Sequence, residues 1–336
     1  MIVKSSLGGV TMGIPMKDRA GRDVFVAIVK LTYAVSPAGR VELLAPAESA
    51  PIDLADTHHG PDPARASIAR PSQVFDEKPG TDLVVLGHAH PRPGRPSTHV
   101  DVEVRMGPLH KVVRAHGPRV FQSGGLAPGP AMPVVEPVRL AYENAWGGVD
   151  DSDPMRPRGE LRNTVGRGVA RDPKALAHTP APQLEHPDKP IVGGANNVPA
   201  SFGPVHRHWL PRASFVGTYD EAWRRTRMPL LPLDFDPRHH VCVPHDQWSQ
   251  QPLRGDEPVS VTGATPEGTL RFGLPRVAVG FSSMQHGGRF EHRTWLDTVL
   301  LDLDAMKVEL TFRASVPMPR KLEQLAHVRA FAKKVV

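Results

Sequence analysis

Proline and glycine punctuate this chain so densely that long helices have almost no room: 37 Pro and 30 Gly fall among 336 residues, about a fifth of the whole. Proline removes a backbone donor and locks φ, and glycine costs conformational order, so such a chain is restricted to short extended elements joined by turns and elaborated loops. The 40% apolar content is nevertheless too high for general disorder. A chain of 336 residues is also long enough for one large or two medium domains with a real hydrophobic core. Together these constraints predict a mainly β protein.

The expected strands are readable. Val24 to Val35 is rich in β-branched and aromatic residues, and Ser36-Pro-Ala-Gly39 before Arg40 to Leu43 marks a hairpin turn. Asp82 to Ala89 reads as a buried strand, while His99 to Met106 and His110 to His116 alternate about Gly107-Pro108 as a half-exposed pair. Further short strands are expected at 259–262, 269–272, 277–281, 297–303 and 307–313, with a hairpin loop over Asp302 to Met306. Leu322, Leu325, Val328, Ala330 and Phe331 lie at roughly helical spacing, so a short amphipathic helix is expected over Arg320 to Val335. Between Asp150 and Pro199 periodicity vanishes, and an ordered loop with at most one helical turn over Asp172 to Leu184 is expected. The resulting architecture is two β-rich, antiparallel halves of sandwich or barrel type, 1–140 and 251–336, joined by a loop-rich segment 141–250 in one compact unit.

Charge and cysteine usage narrow the setting. The formal charge of +6 would suit nucleic acid if it were clustered, yet Arg and Lys are scattered among Asp, Glu and Pro, which argues against that partner. A single Cys242 excludes an intramolecular disulfide framework. With no apolar run of about 18 residues and no basic-then-apolar leader at Met1, the expectation is a cytoplasmic protein without membrane insertion.

Candidate chemistry is sparse. Gly166-Arg167-Gly168 invites a phosphate-loop reading, but it lacks the Gly-x-x-x-x-Gly-Lys-Ser pattern, and a turn with positive φ is the better account. Arg167 would then brace a carboxylate or a carbonyl. His206, His208, His239, His240, Cys242 and His245 offer nitrogen and sulfur ligands, which keeps open a metal-assisted hydrolase, although no Cys-x-x-Cys or His-Glu-x-x-His spacing is present. Asp234 with Asp236, and Asp151 with Asp153, are paired carboxylates of the kind that caps turns and meets Arg. No Gly-x-Ser-x-Gly elbow occurs. The sequence therefore predicts no catalytic set, no bound cofactor and no metal centre.

What remains is a block of large aromatics and arginines. Trp209, Arg212, Tyr219, Asp220, Trp223, Arg224 and Arg225 combine wide, rigid contact area with charge and are candidates for a protein interface. The competing reading makes the Trp residues core and pairs Arg212 with Asp220 or Asp234, leaving Arg207, His208 and Arg224 to Arg227 as surface groups.

A series of blocks runs through this region. Asn144, Trp146, Gly147 and Gly148 are followed by Asn163, Gly166, Arg167 and Gly168, then by Phe202, Gly203 and Pro204. Trp209 to Arg212, Gly217 to Trp223, Pro229 to Asp236 (with Asp234), and Pro244 to Gln247 complete it. The ordered series resembles the type VI secretion effector-adaptor family, from about Val3 to Pro317. It departs from that pattern at Thr164, where Pro is usual, and in the acidic step Asp150 to Asp153. The resemblance implies a non-enzymatic adaptor or chaperone that binds a type VI effector, a toxin, and helps load it onto the spike or its tip protein. A structural subunit of the secretion apparatus is a further alternative.

Overall fold

The computed structural model describes residues 3–192, 197–285, 287–319 and 325–333. The molecule is mainly β, with several largely antiparallel sheets, no closed barrel and one α-helix among the described residues. The largest sheet places Trp248–Ser249, Thr81–Leu86, Trp295–Asp302, Lys307–Pro317, Asp23–Val35 and Val10–Lys17 side by side, with Val41–Leu43 paired to Asp23–Val35. A five-stranded sheet orders Leu184–Glu185, Leu109–His116, His99–Met106, Pro258–Thr262 and Thr269–Gly273. A four-stranded sheet orders Val3–Ser5, Leu325–Ala332, Val279–Gln285 and Gly288–His292.

The expected strands and the hairpins about Gly39, Gly107 and Asp304 are present. The two β-rich ends of the chain do not make separate sheets, however. Lys307–Pro317 pairs with Asp23–Val35 over its whole length, and His99–Met106 pairs with Pro258–Thr262. One continuous apolar cluster draws on all three sheets, through residues such as Val29, Leu310, Val104, Val261, Phe281 and Val328.

The largest sheet has two different faces. Leu83, Val85, Val299, Leu301, Leu310 and Phe312 point into the apolar cluster. On the opposite face, Asp82, Thr298, Thr311 and Lys30 stand in register across four strands, and both charged members of that row are fully buried. Burying a charge is costly unless it is paired and hydrogen-bonded, so partners must come from neighbouring strands and from the covering loops. They do. Lys30 Nζ meets Asp53 at 2.9 Å and Glu309 at 3.1 Å, and Arg70 bridges the same two carboxylates. Arg313 donates to Asp297 and to the carbonyls of Phe75 and Gln73, each at 2.8 Å, with its guanidinium 3.8 Å from the centre of the Phe75 ring. Lys78 donates to Asp82 at 2.9 Å and to Thr298 at 2.7 Å, while Cys242 donates to the same Asp82 oxygen from its backbone. Burial alone would lower the Lys78 ammonium, but Asp82 and Asp297 raise it on balance, so the lysine is held charged.

Two expectations for local structure have different outcomes. Asp172 caps a single 3-10 turn at Pro173–Leu176, in line with the one turn expected there. The expected C-terminal helix is corrected: Leu325–Ala332 is a strand, parallel to Val3–Ser5 and antiparallel to Val279–Gln285. The rest of that expected helix, 320–324 and 334–335, lies outside the described residues. Val328 and Ala330 alternate with exposed or half-buried neighbours as a strand requires, and an irregularity opposite Met284 and Gln285 brings Leu325 to the buried side as well, so pairing with two flanking strands decides the conformation.

Arg313→Met keeps the length of the side chain while leaving Asp297 buried without its cation. The expected cost is about 3–5 kcal/mol in urea unfolding, with Arg313→Met/Asp297→Asn costing clearly less than the sum of the two single changes. Additive single-mutant effects would show that the pair is not coupled.

Candidate protein-interaction site

The glycine-rich motifs close on one another around Asn163. This side chain is fully buried, and its amide donates to the carbonyls of Tyr142 at 2.9 Å and Trp146 at 2.8 Å, while the Asn163 backbone carbonyl accepts from Gly148 N at 2.9 Å. Trp146–Gly147 pairs in parallel with Arg167–Gly168. Gly147 and Gly168 have φ of +152° and +112°, and a Cβ there would stand 2.3 Å from Asn163 O and 2.5 Å from the Trp146 ring respectively. Glycine is therefore required on two grounds, backbone conformation and close approach. Arg167 N and Val169 N donate to Ala145 and Gly147 carbonyls, so these amides are spent inside the chain and not presented to a phosphate. Arg167 does not brace a carboxylate or carbonyl as expected: among the described residues its guanidinium has no partner, and it lines a surface groove with Asn144. Asn144 itself donates to Arg139 O at 3.0 Å.

The aromatic and arginine block divides into interior and surface. Trp209 is 3% exposed, packs edge-on to Tyr142, and donates its indole N–H to Thr164 Oγ1 at 2.9 Å. The departure at Thr164 thus supplies an acceptor. Phe202 is fully buried in the same core, with Gly203 and Pro204 buried behind it, and Gln247 ties the Phe202 carbonyl to that of Leu83. Arg212 is 7% exposed and pairs with neither Asp220 nor Asp234; it donates to the carbonyls of His239 at 2.9 Å and Val205 at 2.7 Å. Trp209 and Arg212 are therefore corrected from contact residues to interior ones, because their polar atoms already have partners within the chain. Arg207 is engaged as well, with Asp56 at 2.7 Å.

Tyr219, Asp220, Trp223, Arg224 and Arg225 lie together on a surface lobe, 217–234. Asp234 closes its neck by accepting from both the backbone N–H and the hydroxyl of Thr218, at 3.0 and 2.7 Å. Asp220 caps the α-helix α1 (Glu221–Thr226) by accepting from Trp223 N at 2.8 Å. The Trp223 indole donates to Leu230 O at 2.8 Å, and Tyr219 stacks edge-on against it with centroids 4.6 Å apart. Two arginines fasten the lobe to the 18–22 turn: Arg227 donates to Arg19 O, and Arg19 donates to Leu233 O. Just beyond the neck, Asp236 caps the 3-10 turn Pro237–His240 and pairs with Arg238. The lobe displays Tyr219, Met228 and Leu233 at 48, 62 and 73% exposure, beside exposed Arg224 and Arg225 that share Glu221. This is a braced surface that displays both apolar and cationic groups.

The histidines and Cys242 are dispersed. His206 sits by His58, His208 and Trp209; His240 stacks on Phe75; His239 contacts the Arg212 carbonyl; and His245 lies against Trp248. Among the described residues no three His, Cys, Asp or Glu side chains are grouped to hold a metal ion. The Cys242 thiol points at Asp82, 3.3 Å away, and burial followed by that carboxylate pushes its pKa far up, which keeps it protonated and a poor nucleophile. Burial pushes His206 down to about 4 and His240 to about 3, with neighbouring cationic groups adding to the shift.

The protein family described as "Uncharacterized protein conserved in bacteria (DUF2169)" matches the chain over residues 20–313. No curated protein and no solved structure matches it. No helix among the described residues is long and apolar enough to cross a membrane.

The depressed histidines, of which His206 and His240 are shifted furthest, carry a pH consequence. A histidine whose folded value lies below its ordinary 6.5 contributes stability that is complete above that pH and is lost as pH falls toward the folded value. Asp76, whose carboxyl burial raises, lies beside His240 and acts with the opposite sign nearer the carboxylate range. Urea midpoints are therefore expected to fall between pH 6.5 and about 4.5, and His240→Phe, which keeps the stack on Phe75, flattens part of that fall. An unchanged pH profile in His240→Phe would show that His240 titrates normally.

Proposed function

This chain belongs to the bacterial DUF2169 family, and we propose that it acts as a non-enzymatic adaptor that binds a type VI secretion effector and promotes its loading onto the spike or spike-tip protein from the cytoplasmic side. The motif series from Asn144 to Gln247 supplies the resemblance behind this reading. The observation that carries it furthest is the 217–234 lobe, in which Tyr219, Met228 and Leu233 are displayed beside Arg224 and Arg225 on a neck held by Asp234 and a base held by Arg19 and Arg227. Rigid aromatic and arginine groups already ordered before contact lose little entropy on binding, which suits a protein partner. The side chains that a hydrolase would recruit are committed to stacking and to internal hydrogen bonds.

Pull-down of the tagged chain from its own bacterium is expected to recover a toxin-like protein together with a spike component. Tyr219→Ala/Arg224→Glu/Arg225→Glu changes only partly or fully exposed groups, so the thermal midpoint should hold while recovery drops about tenfold or more. Undiminished recovery would remove the lobe from the interface. Effector and spike that still co-purify after the gene is deleted would overturn the adaptor reading itself.

A further inference from the structure

Away from the lobe, the loop that joins the paired strands Thr57–His58 and Ile68–Arg70, through His59, Gly60, Arg65 and Ala66, and the extended segment 132–139 border a groove of about 680 Å³. The segment is fixed at both ends: Met132 N donates to Pro118 O at 2.9 Å, Val134 N to Ser97 O at 2.8 Å, and Leu140 N to Gly87 O at 3.0 Å. Its outward side chains include Met132 and Val135, which are 63 and 75% exposed and form an apolar ledge along the groove.

The charges that line this groove are unevenly matched. Arg65, Arg139 and Arg167 all face it, and among the described residues neither Arg139 nor Arg167 has a carboxylate or hydrogen-bond partner for its guanidinium. Arg65 has only a loose contact with Asp62, at 3.8 Å. Of the two glutamates on the lining, Glu143 has both carboxylate oxygens occupied by Ser67, through its backbone N–H at 2.7 Å and its hydroxyl at 2.6 Å. These bonds hold Glu143 in place without cancelling its charge, so Glu136 and Glu143 face three arginines and the lining carries an excess of one positive charge. Guanidinium groups offer paired N–H donors matched to carboxylates, and the adjoining ledge offers apolar area.

The backbone of the segment is poorly suited to strand addition, because Pro133 and Pro137 have no N–H to donate. Recognition here must come from side chains. We infer that this groove is a docking site for an extended peptide segment of a partner protein carrying Asp or Glu next to an aliphatic residue, with the carboxylates taken by Arg139 and Arg167 and the aliphatic group laid on Met132 and Val135. The inference deepens the adaptor reading and rests on it for the occupant, a loading segment of the client. It also gives the Arg167 motif position a purpose that bracing does not.

The test is selection of random 12-residue peptides, displayed as amino-terminal coat-protein fusions without a free carboxy terminus, on the purified full-length chain. The expected result is enrichment of sequences with Asp or Glu beside Leu, Ile or Val. A fluorescein-labelled winner should bind about tenfold or more weakly to Arg139→Glu, and to Val135→Asp, a change at an exposed position that leaves folding intact. Binding should also weaken as salt is raised. No enrichment, enrichment without acidic residues, or affinity indifferent to both variants would overturn the assignment. A client still recovered by an Arg139→Glu/Arg167→Glu chain would sink the groove and leave the adaptor reading standing. Acidic peptides that bind the groove while gene deletion leaves effector and spike together would do the reverse.

Discussion

The structure depends on ionised side chains sealed beneath loops. Lys30, Asp82, Asp297 and Arg313 are all fully buried, on or beside one face of the largest sheet, and each would be prohibitively costly there alone. Their partners are supplied from two directions: the segment from Pro51 to Lys78, through Asp53, Arg70, the Gln73 and Phe75 carbonyls and Lys78, and the central segment, through Cys242. Lifting either segment would strand charges in a dry interior. Since desolvation offsets much of the attraction in such pairs, the main consequence is positional. The belt determines where loops rich in proline and glycine lie, in a chain whose loops have little regular secondary structure to hold them.

That constraint explains how a loop-rich middle can present defined surfaces. The Asn163 knot sets the path from Tyr142 to Gly168, which places Arg167 on the groove. Arg212, buried and tied to Val205 and His239, joins the two arms that flank the lobe, so the neck at Thr218 and Asp234 starts from fixed points. Both surfaces then display apolar and arginine groups on backbone that is already ordered, which lowers the entropic cost of binding a partner.

Much of the β architecture was legible because its signals are local. Alternation in 99–116 and the turn residues at Gly39, Gly107 and Asp302 to Met306 identify strands and hairpins directly. Pairing between distant strands has no such local signature, so the merging of the two chain ends into common sheets was not readable. The strand at Leu325–Ala332 lacks a local signature for the same reason: its neighbours lie some fifty and three hundred residues away. At the site, the exposed lobe residues were identified by type, but Trp209 and Arg212 share that type and are interior. Only their partners, Thr164 and the Val205 and His239 carbonyls, distinguish them. The ionic belt was hidden because Lys30 sits within an apolar strand pattern and Arg313 at a position that reads as solvent-facing. Which polar strand residue is covered depends on loops distant in sequence.

Hydrogen–deuterium exchange of the full chain, resolved by peptide, tests the central claim most directly. If the buried ionic belt holds the loops to the sheet, hydrogen-bonded amides such as Val205, Cys242 and Gln247 should exchange as slowly as those of the strands beneath them, and Lys78→Met should selectively release 203–249 and 70–80. Exchange of 203–249 within seconds in the unaltered chain, while the sheet stays protected, would contradict the account.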